Sequence, residues 1–109
     1  MTGRQPFVSV IMLTRDRPQF LSLALTCYAR QTYAQRELIV VDDGGVHPAD
    51  ADAVAAAGGR LLRVGTAGLD GYEATRAFYE RQGFTIAARI ADFYWEGNDL
   101  VVYVKHFGN

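Results

Sequence analysis

The stretch Glu37-Leu38-Ile39-Val40-Val41-Asp42-Asp43-Gly44-Gly45 constrains this chain more than any other. Four consecutive aliphatic residues, rich in β-branching, end abruptly in two carboxylates and two glycines. Such a run predicts a strand buried on both faces, as in a parallel sheet covered by helices. The carboxylates then stand at its C-terminal end, the edge of an open α/β sheet where ligands bind.

The 109 residues allow one domain with one core. Eleven basic and twelve acidic side chains leave a net charge of −1, so no basic surface calls for nucleic acid and no acidic tail for disorder. A lone Cys27 excludes an internal disulfide, and Met1 to Pro6 lead into no apolar signal-peptide core. No apolar run reaches the length of a membrane span. A soluble, cytoplasmic protein is expected, with no nucleic-acid or membrane partner.

Phe7 to Leu13 reads as a first buried strand, bounded by Pro6 and by Thr14-Arg15-Asp16-Arg17. Pro18 suits a helix first turn, with Asp16 as its cap. That helix runs to about Arg30 and places Phe20, Ala24, Cys27 and Tyr28 at helical spacing, Cys27 among the buried residues. A second helix spans Pro48 to Ala57, opened by proline and acids and stopped by Gly58-Gly59. Arg60 to Gly65 forms a short third strand. Residues 72 to 82 form a third helix, with Glu73, Arg76 and Glu80 on its solvent face, Ala74 and Phe78 toward the core, and Gly83 at its end. Tyr79 falls at the margin of the apolar face, about 100° from Phe78. Phe84 to Asp92 and Asp99 to His106 are extended runs joined by Phe93-Tyr94-Trp95-Glu96-Gly97-Asn98, an antiparallel hairpin whose aromatic residues form a cover for its end or, as the alternative, a stacking platform. The order is βαβαβαββ: a three-layer α/β sandwich of three parallel strands with right-handed crossovers, extended by a C-terminal antiparallel hairpin.

Residues 7 to about 60 resemble the N-terminal, nucleotide-sugar-binding half of family 2 glycosyltransferases of the GT-A fold. Phe-Val-Ser-Val-Ile-Met-Leu-Thr-Arg-Asp-Arg-Pro, Ala-Arg-Gln-Thr-Tyr and Glu-Leu-Ile-Val-Val-Asp-Asp-Gly occur in the family's order. The resemblance implies that Thr14 and Asp43 hold the base and ribose of a UDP- or GDP-sugar, with Asp16 and Asp42 beside them. Arg15 and Arg17 are candidate phosphate contacts. Residues from about 66 to 107 resemble another family, the C-terminal part of GCN5-related (GNAT) N-acetyltransferases. Ala-Thr-Arg-Ala-Phe-Tyr-Glu-Arg-Gln-Gly-Phe, Ala-Arg-Ile-Ala-Asp-Phe-Tyr and Asn-Asp-Leu-Val-Val-Tyr-Val-Lys carry it. In such enzymes the tyrosine at Tyr79 serves as general acid near the sulfur of acetyl-CoA. Tyr72 stands near the place of the family's asparagine.

Both patterns are incomplete. The Asp-x-Asp metal motif and catalytic base of the first do not follow; Asp50-Ala51-Asp52 has the letters but opens an alanine helix. The Arg/Gln-x-x-Gly-x-Gly/Ala pyrophosphate segment of the second is missing. His47 and His106 lack metal-ligand spacing, and no metal site is expected. The chain reads as one α/β domain joining a glycosyltransferase-like segment (1–64) to an acetyltransferase-like one (65–109). The expected function is that of a non-catalytic chimera with residual nucleotide-sugar binding; the alternative is an N-acetyltransferase-related protein that binds acetyl-CoA. An exposed sheet edge makes a homodimer an expected assembly.

Overall fold

Five strands and three helices build one sheet with its helices on a single face. The computed structural model describes residues 5–44 and 48–108. Gly45, His47 and the first four residues, on which sequence expectations fell, lie outside the described residues. The elements are β1 (Val8–Thr14), α1 (Pro18–Arg30), β2 (Arg36–Asp42), α2 (Ala51–Ala56), β3 (Leu61–Ala67), α3 (Glu73–Arg81), β4 (Thr85–Trp95) and β5 (Asn98–His106), with a 3₁₀ turn at Asp70–Tyr72 before α3. The strand order is β1-β2-β3-β5-β4. β1, β2 and β3 pair in parallel, while β5 runs antiparallel to both β3 and β4. The α/β class and the element order are those expected from the sequence.

The layering is not. β1, β2 and β3 lie side by side in chain order, so successive right-handed crossovers return over the same face. One buried cluster accordingly collects Leu21, Leu25 and Tyr28 of α1, Val54 of α2 and Tyr79 of α3 against Leu38, Val40, Leu62, Val64, Val101 and Tyr103 of the sheet. Among the described residues there are two layers, and the second face of the sheet carries no helix. β1 is therefore an edge strand with only one face covered: Val10 and Met12 pack against the cluster, while Ile11 and Leu13 are 61% and 76% exposed. β2 likewise alternates, with Leu38, Val40 and Asp42 buried and Ile39 and Val41 half-buried.

Local readings shift in consequence. α1 begins after Arg17, with no side-chain cap, and Asp16 instead takes a left-handed backbone at φ +50°. It buries Leu21, Leu25 and Tyr28, so Phe20 and Cys27 face outward. α2 is shorter than expected because Asp50 supplies its cap, accepting from the backbone N–H groups of Asp52 and Ala53. On α3 the buried residue is Tyr79, while Phe78 and Ala74 are exposed. Arg76 is no solvent-face residue either: Nη1 donates to the carbonyls of Ala67 and Leu69 at 2.9 Å each and ties the β3–α3 connection to the helix.

Tyr79 packs edge-on against Phe84, centroids 5.3 Å apart, and 5.8 Å from Tyr103. Such pairs add about 0.5–1.5 kcal/mol beyond their burial. The Tyr103 hydroxyl donates to Glu80 Oε2 at 2.9 Å, linking β5 to α3. Burial, then this bond, pushes the Tyr103 phenol up to about 12. Its contribution is complete below the ordinary phenol range near pH 10 and is lost as pH rises from there through the folded value. Tyr103→Phe should cost about 1 kcal/mol at neutral pH, and the difference between the two proteins in urea unfolding should shrink between pH 10 and 12.

Candidate functional site

The C-terminal ends of β1, β2 and β3 converge on one edge of the sheet, and the carboxylates that close β2 behave differently there. Asp42 continues the inward alternation of Leu38 and Val40, so its side chain enters the helix-covered layer. Its Oδ1 accepts from Gly44 N–H at 3.0 Å and its Oδ2 from Ala49 N–H at 2.8 Å. Both oxygens thus hold the β2–α2 connection. Burial raises the Asp42 carboxyl above its ordinary value, against the lowering effect of those two bonds. Gly44 serves the same turn: its φ is +90°, and a Cβ there would come within 3.0 Å of the Gly65 carbonyl oxygen.

Asp43 is one residue beyond the strand and points outward, with its side chain 69% exposed and Oδ1 3.9 Å from Arg63 Nη1. It borders a cleft of about 600 Å³ at the β1–α1 turn, lined also by Thr14, Arg15, Arg17 and Phe20. Four residues singled out in the sequence (Thr14, Arg15, Arg17 and Asp43) are therefore brought together. Asp42 and Asp16 do not line that cleft.

A second cleft, of about 390 Å³, continues from Arg15 and Asp43 across the ends of β3 and β5. Gly65, Thr66, Tyr79 and Asn98 are among its buried lining, and Tyr72, Thr75, Tyr94 and Trp95 among its exposed lining. Tyr79 is only 5% exposed. Burial, and secondarily the charge of Asp42, raises its phenol pKa, so the hydroxyl keeps its proton through the neutral range.

The hairpin shapes part of the exposed lining. β4 carries extra residues opposite β5 between Ile90 and Trp95, and Asp92 takes a left-handed backbone at φ +55°. Asp92 N–H donates to Asp99 Oδ1 at 3.0 Å, and Asp92 Oδ1 accepts from Gly97 N–H at 2.7 Å. Arg89 Nε reaches Asp99 Oδ2 at 2.7 Å, and this bond holds the Asp99 carboxyl below its usual range. A bulge of this kind re-aims side chains. Here Tyr94 and Trp95 border the cleft, where the sequence suggested a cover for the hairpin end. Asn98 was not recognised as a site residue; in sequence it looks like an ordinary turn residue, and nothing local signals its burial.

Among the described residues no group of three or more His, Cys, Asp or Glu side chains is placed to hold a metal ion. Asp50 caps α2 instead. Among them, too, no helix is long and apolar enough to cross a membrane.

No family model matches the chain. No curated protein matches it. Among solved structures, the chain is similar to a Desulfovibrio desulfuricans protein assigned by its description to the GNAT family of acetyltransferases, at 41% identity and a TM-score of 0.48. The match covers 51% of this chain and 37% of that one, so the chain spans little more than a third of that protein's length. The family named in that description is the one that residues from about 66 to 107 resemble.

The sign of the Asp42 shift gives a pH test. With its folded pKa raised, the native state takes up the proton first as pH falls, so its stabilisation is present at acid pH and lost as pH rises through the folded value. The stability of the wild type relative to Asp42→Asn, read from urea midpoints between about pH 4 and 8, should therefore be greatest at the acid end. A difference that grows with pH would contradict the burial of this carboxylate.

Proposed function

We propose that the chain binds acetyl-CoA or a related acyl-CoA along the C-terminal edge of its parallel strands, with the thioester end beside Tyr79. The supporting observation is the placement of Tyr79: a buried phenol in the wall of a cleft where Gly65, Thr66 and Thr75 are among its neighbours. The resemblance of residues 66 to 107 assigns the same tyrosine a proton-donating role. When bound, acetyl-CoA supplies an activated acyl group; the part of Tyr79 is to hold a proton at its hydroxyl oxygen for the departing sulfur.

The donor set fits the ligand unevenly. The buried lining of the Tyr79 cleft is uncharged and suits the acyl end. The cations that line these two clefts stand at the β1–α1 turn, Arg15 in both and Arg17 in the larger. Asp42 and Asp43 occupy the end of β2, where a pyrophosphate would be repelled. This favours binding weaker than that of a complete acetyltransferase.

A second reading rests on the larger cleft. Thr14, Arg15, Arg17 and Asp43 line it together, which supports residual affinity for a UDP- or GDP-sugar. The chain lacks the sequence elements for sugar transfer, so this reading is of binding alone.

Thermal unfolding separates the two. A ligand that binds only the folded state stabilises it by about 2.7 kcal/mol at a hundredfold excess over Kd. Acetyl-CoA at millimolar concentration should raise Tm saturably, and Tyr79→Phe should retain most of that shift while losing any acyl transfer. A shift with UDP or GDP that disappears in Asp43→Ala would instead support the second reading. No shift with acetyl-CoA would refute the first.

A further inference from the structure

The hairpin end of the smaller cleft holds a polar group with no assigned purpose. Asn98 is the first residue of β5 and 2% exposed, yet its Oδ1 is enclosed with no hydrogen-bond partner among the described residues. An unsatisfied buried acceptor costs about 1–3 kcal/mol. Natural folds retain such a cost where a ligand relieves it, and Asn98 lines the cleft. Its terminal torsion is broad, so the amide plane can turn its oxygen toward a bound group.

The neighbours define what that group is. Tyr72, Tyr94 and Trp95 border the same end, and the Asp92 bulge brings the last two there. Rings of this kind take up a planar, apolar body by stacking. The charged residues of the cleft, Arg15 and Asp43, belong to the ends of β1 and β2, on the far side of β3 from Asn98. Of the described residues lining the cleft, none beside Asn98 is acidic. The hairpin carboxylates of Asp92 and Asp99 are engaged by Gly97 N–H and by Arg89, so desolvating a cation there is unfavourable.

We infer that the hairpin end of this cleft binds a neutral planar ring bearing an N–H donor, with Asn98 Oδ1 accepting that hydrogen bond and Tyr94 and Trp95 flanking the ring. The inference rests on reading the cleft as a ligand site, and it names the class of compound that would occupy the end away from the phosphates. An aromatic amine and the amino-bearing base of a nucleoside share this chemistry.

Trp95 is the only tryptophan in the chain and reports on the site directly. Its emission should change saturably with 4-methylaniline, which is uncharged at neutral pH. Binding should be about fivefold to tenfold weaker for 1,4-dimethylbenzene, which has the same outline without the donor, as expected for one hydrogen bond. Asn98→Ala should remove that preference and leave 1,4-dimethylbenzene unaffected. Benzylammonium should bind no better than 1,4-dimethylbenzene to the wild type and should gain in Asn98→Asp. Adenosine distinguishes the sources: tighter binding than 4-methylaniline identifies a nucleoside base, weaker binding an aromatic amine. Equal affinity of the wild type for 4-methylaniline and 1,4-dimethylbenzene would overturn the inference, and that comparison stands even if Asn98→Ala does not fold. Loss of the acetyl-CoA melting shift with a retained response of Trp95 would remove the acyl-CoA reading and leave this one.

Discussion

β3 is the strand on which the rest of the structure depends. It pairs in parallel with β2 through Leu61–Val64 and antiparallel with β5 along its whole length, Leu61 to Ala67. Leu62, Val64 and Thr66 turn toward the helices, where Leu62 and Val64 join residues from both flanking strands in the buried cluster. Neither the βαβ portion before it nor the helix and hairpin after it closes a core alone, because each is covered on one side only where β3 continues the sheet. With a parallel neighbour on one edge and an antiparallel one on the other, β3 joins the βαβ portion of the sheet to the helix and hairpin that follow.

The site follows from the same arrangement. The antiparallel return of β5 sets its first residues beside the last residues of β3, Ala67 opposite Leu100. Asn98 and the aromatic tip of the hairpin therefore arrive at the edge where β1 and β2 deliver Arg15 and Asp43. Open α/β sheets bind ligands at such edges. Arg76, held by two carbonyls of the β3–α3 connection, and Asp42, holding the β2–α2 connection, fix the backbone on both sides of the cleft. The smaller cleft is thus framed by buried polar contacts rather than by loops alone.

The strands and helices were legible in the sequence because apolar runs and glycine or proline stops mark them. The layering was not, since it depends on whether β1, β2 and β3 lie in chain order, which no local pattern records. That single fact moves Ile11 and Leu13 from core to surface. Helix faces were misjudged by one position: Leu21 and Leu25 rather than Phe20 and Ala24, Tyr79 rather than Phe78. On α3 the error arises from giving the more apolar ring the inward place, and on α1 from setting the helical register on Phe20, which brings Ala24 inward with it; the residues that join the buried cluster are Leu21, Leu25 and Tyr79. For Asp42 a usable signal existed, because it shares the two-residue period of Leu38 and Val40 and so had to point inward. Thr14 and Asp43, pointed to by the glycosyltransferase resemblance, line one cleft with Arg15 and Arg17 of the first strand–helix turn, whereas Asp16 and Asp42 do not. Asn98 was not anticipated, because its burial is produced by a bulge in the opposite strand.

The central claim is that β3 makes the βαβ portion before it and the helix and hairpin after it one cooperative unit. Native-state amide hydrogen exchange tests it most directly. The account predicts that the amides of Leu38 and Val40 in β2, Leu62 and Val64 in β3, and Val101 and Tyr103 in β5 exchange through one opening, with a common free energy and a common dependence on denaturant. Exchange of the β2 amides through a separate opening of lower free energy, while β5 stays protected, would contradict it.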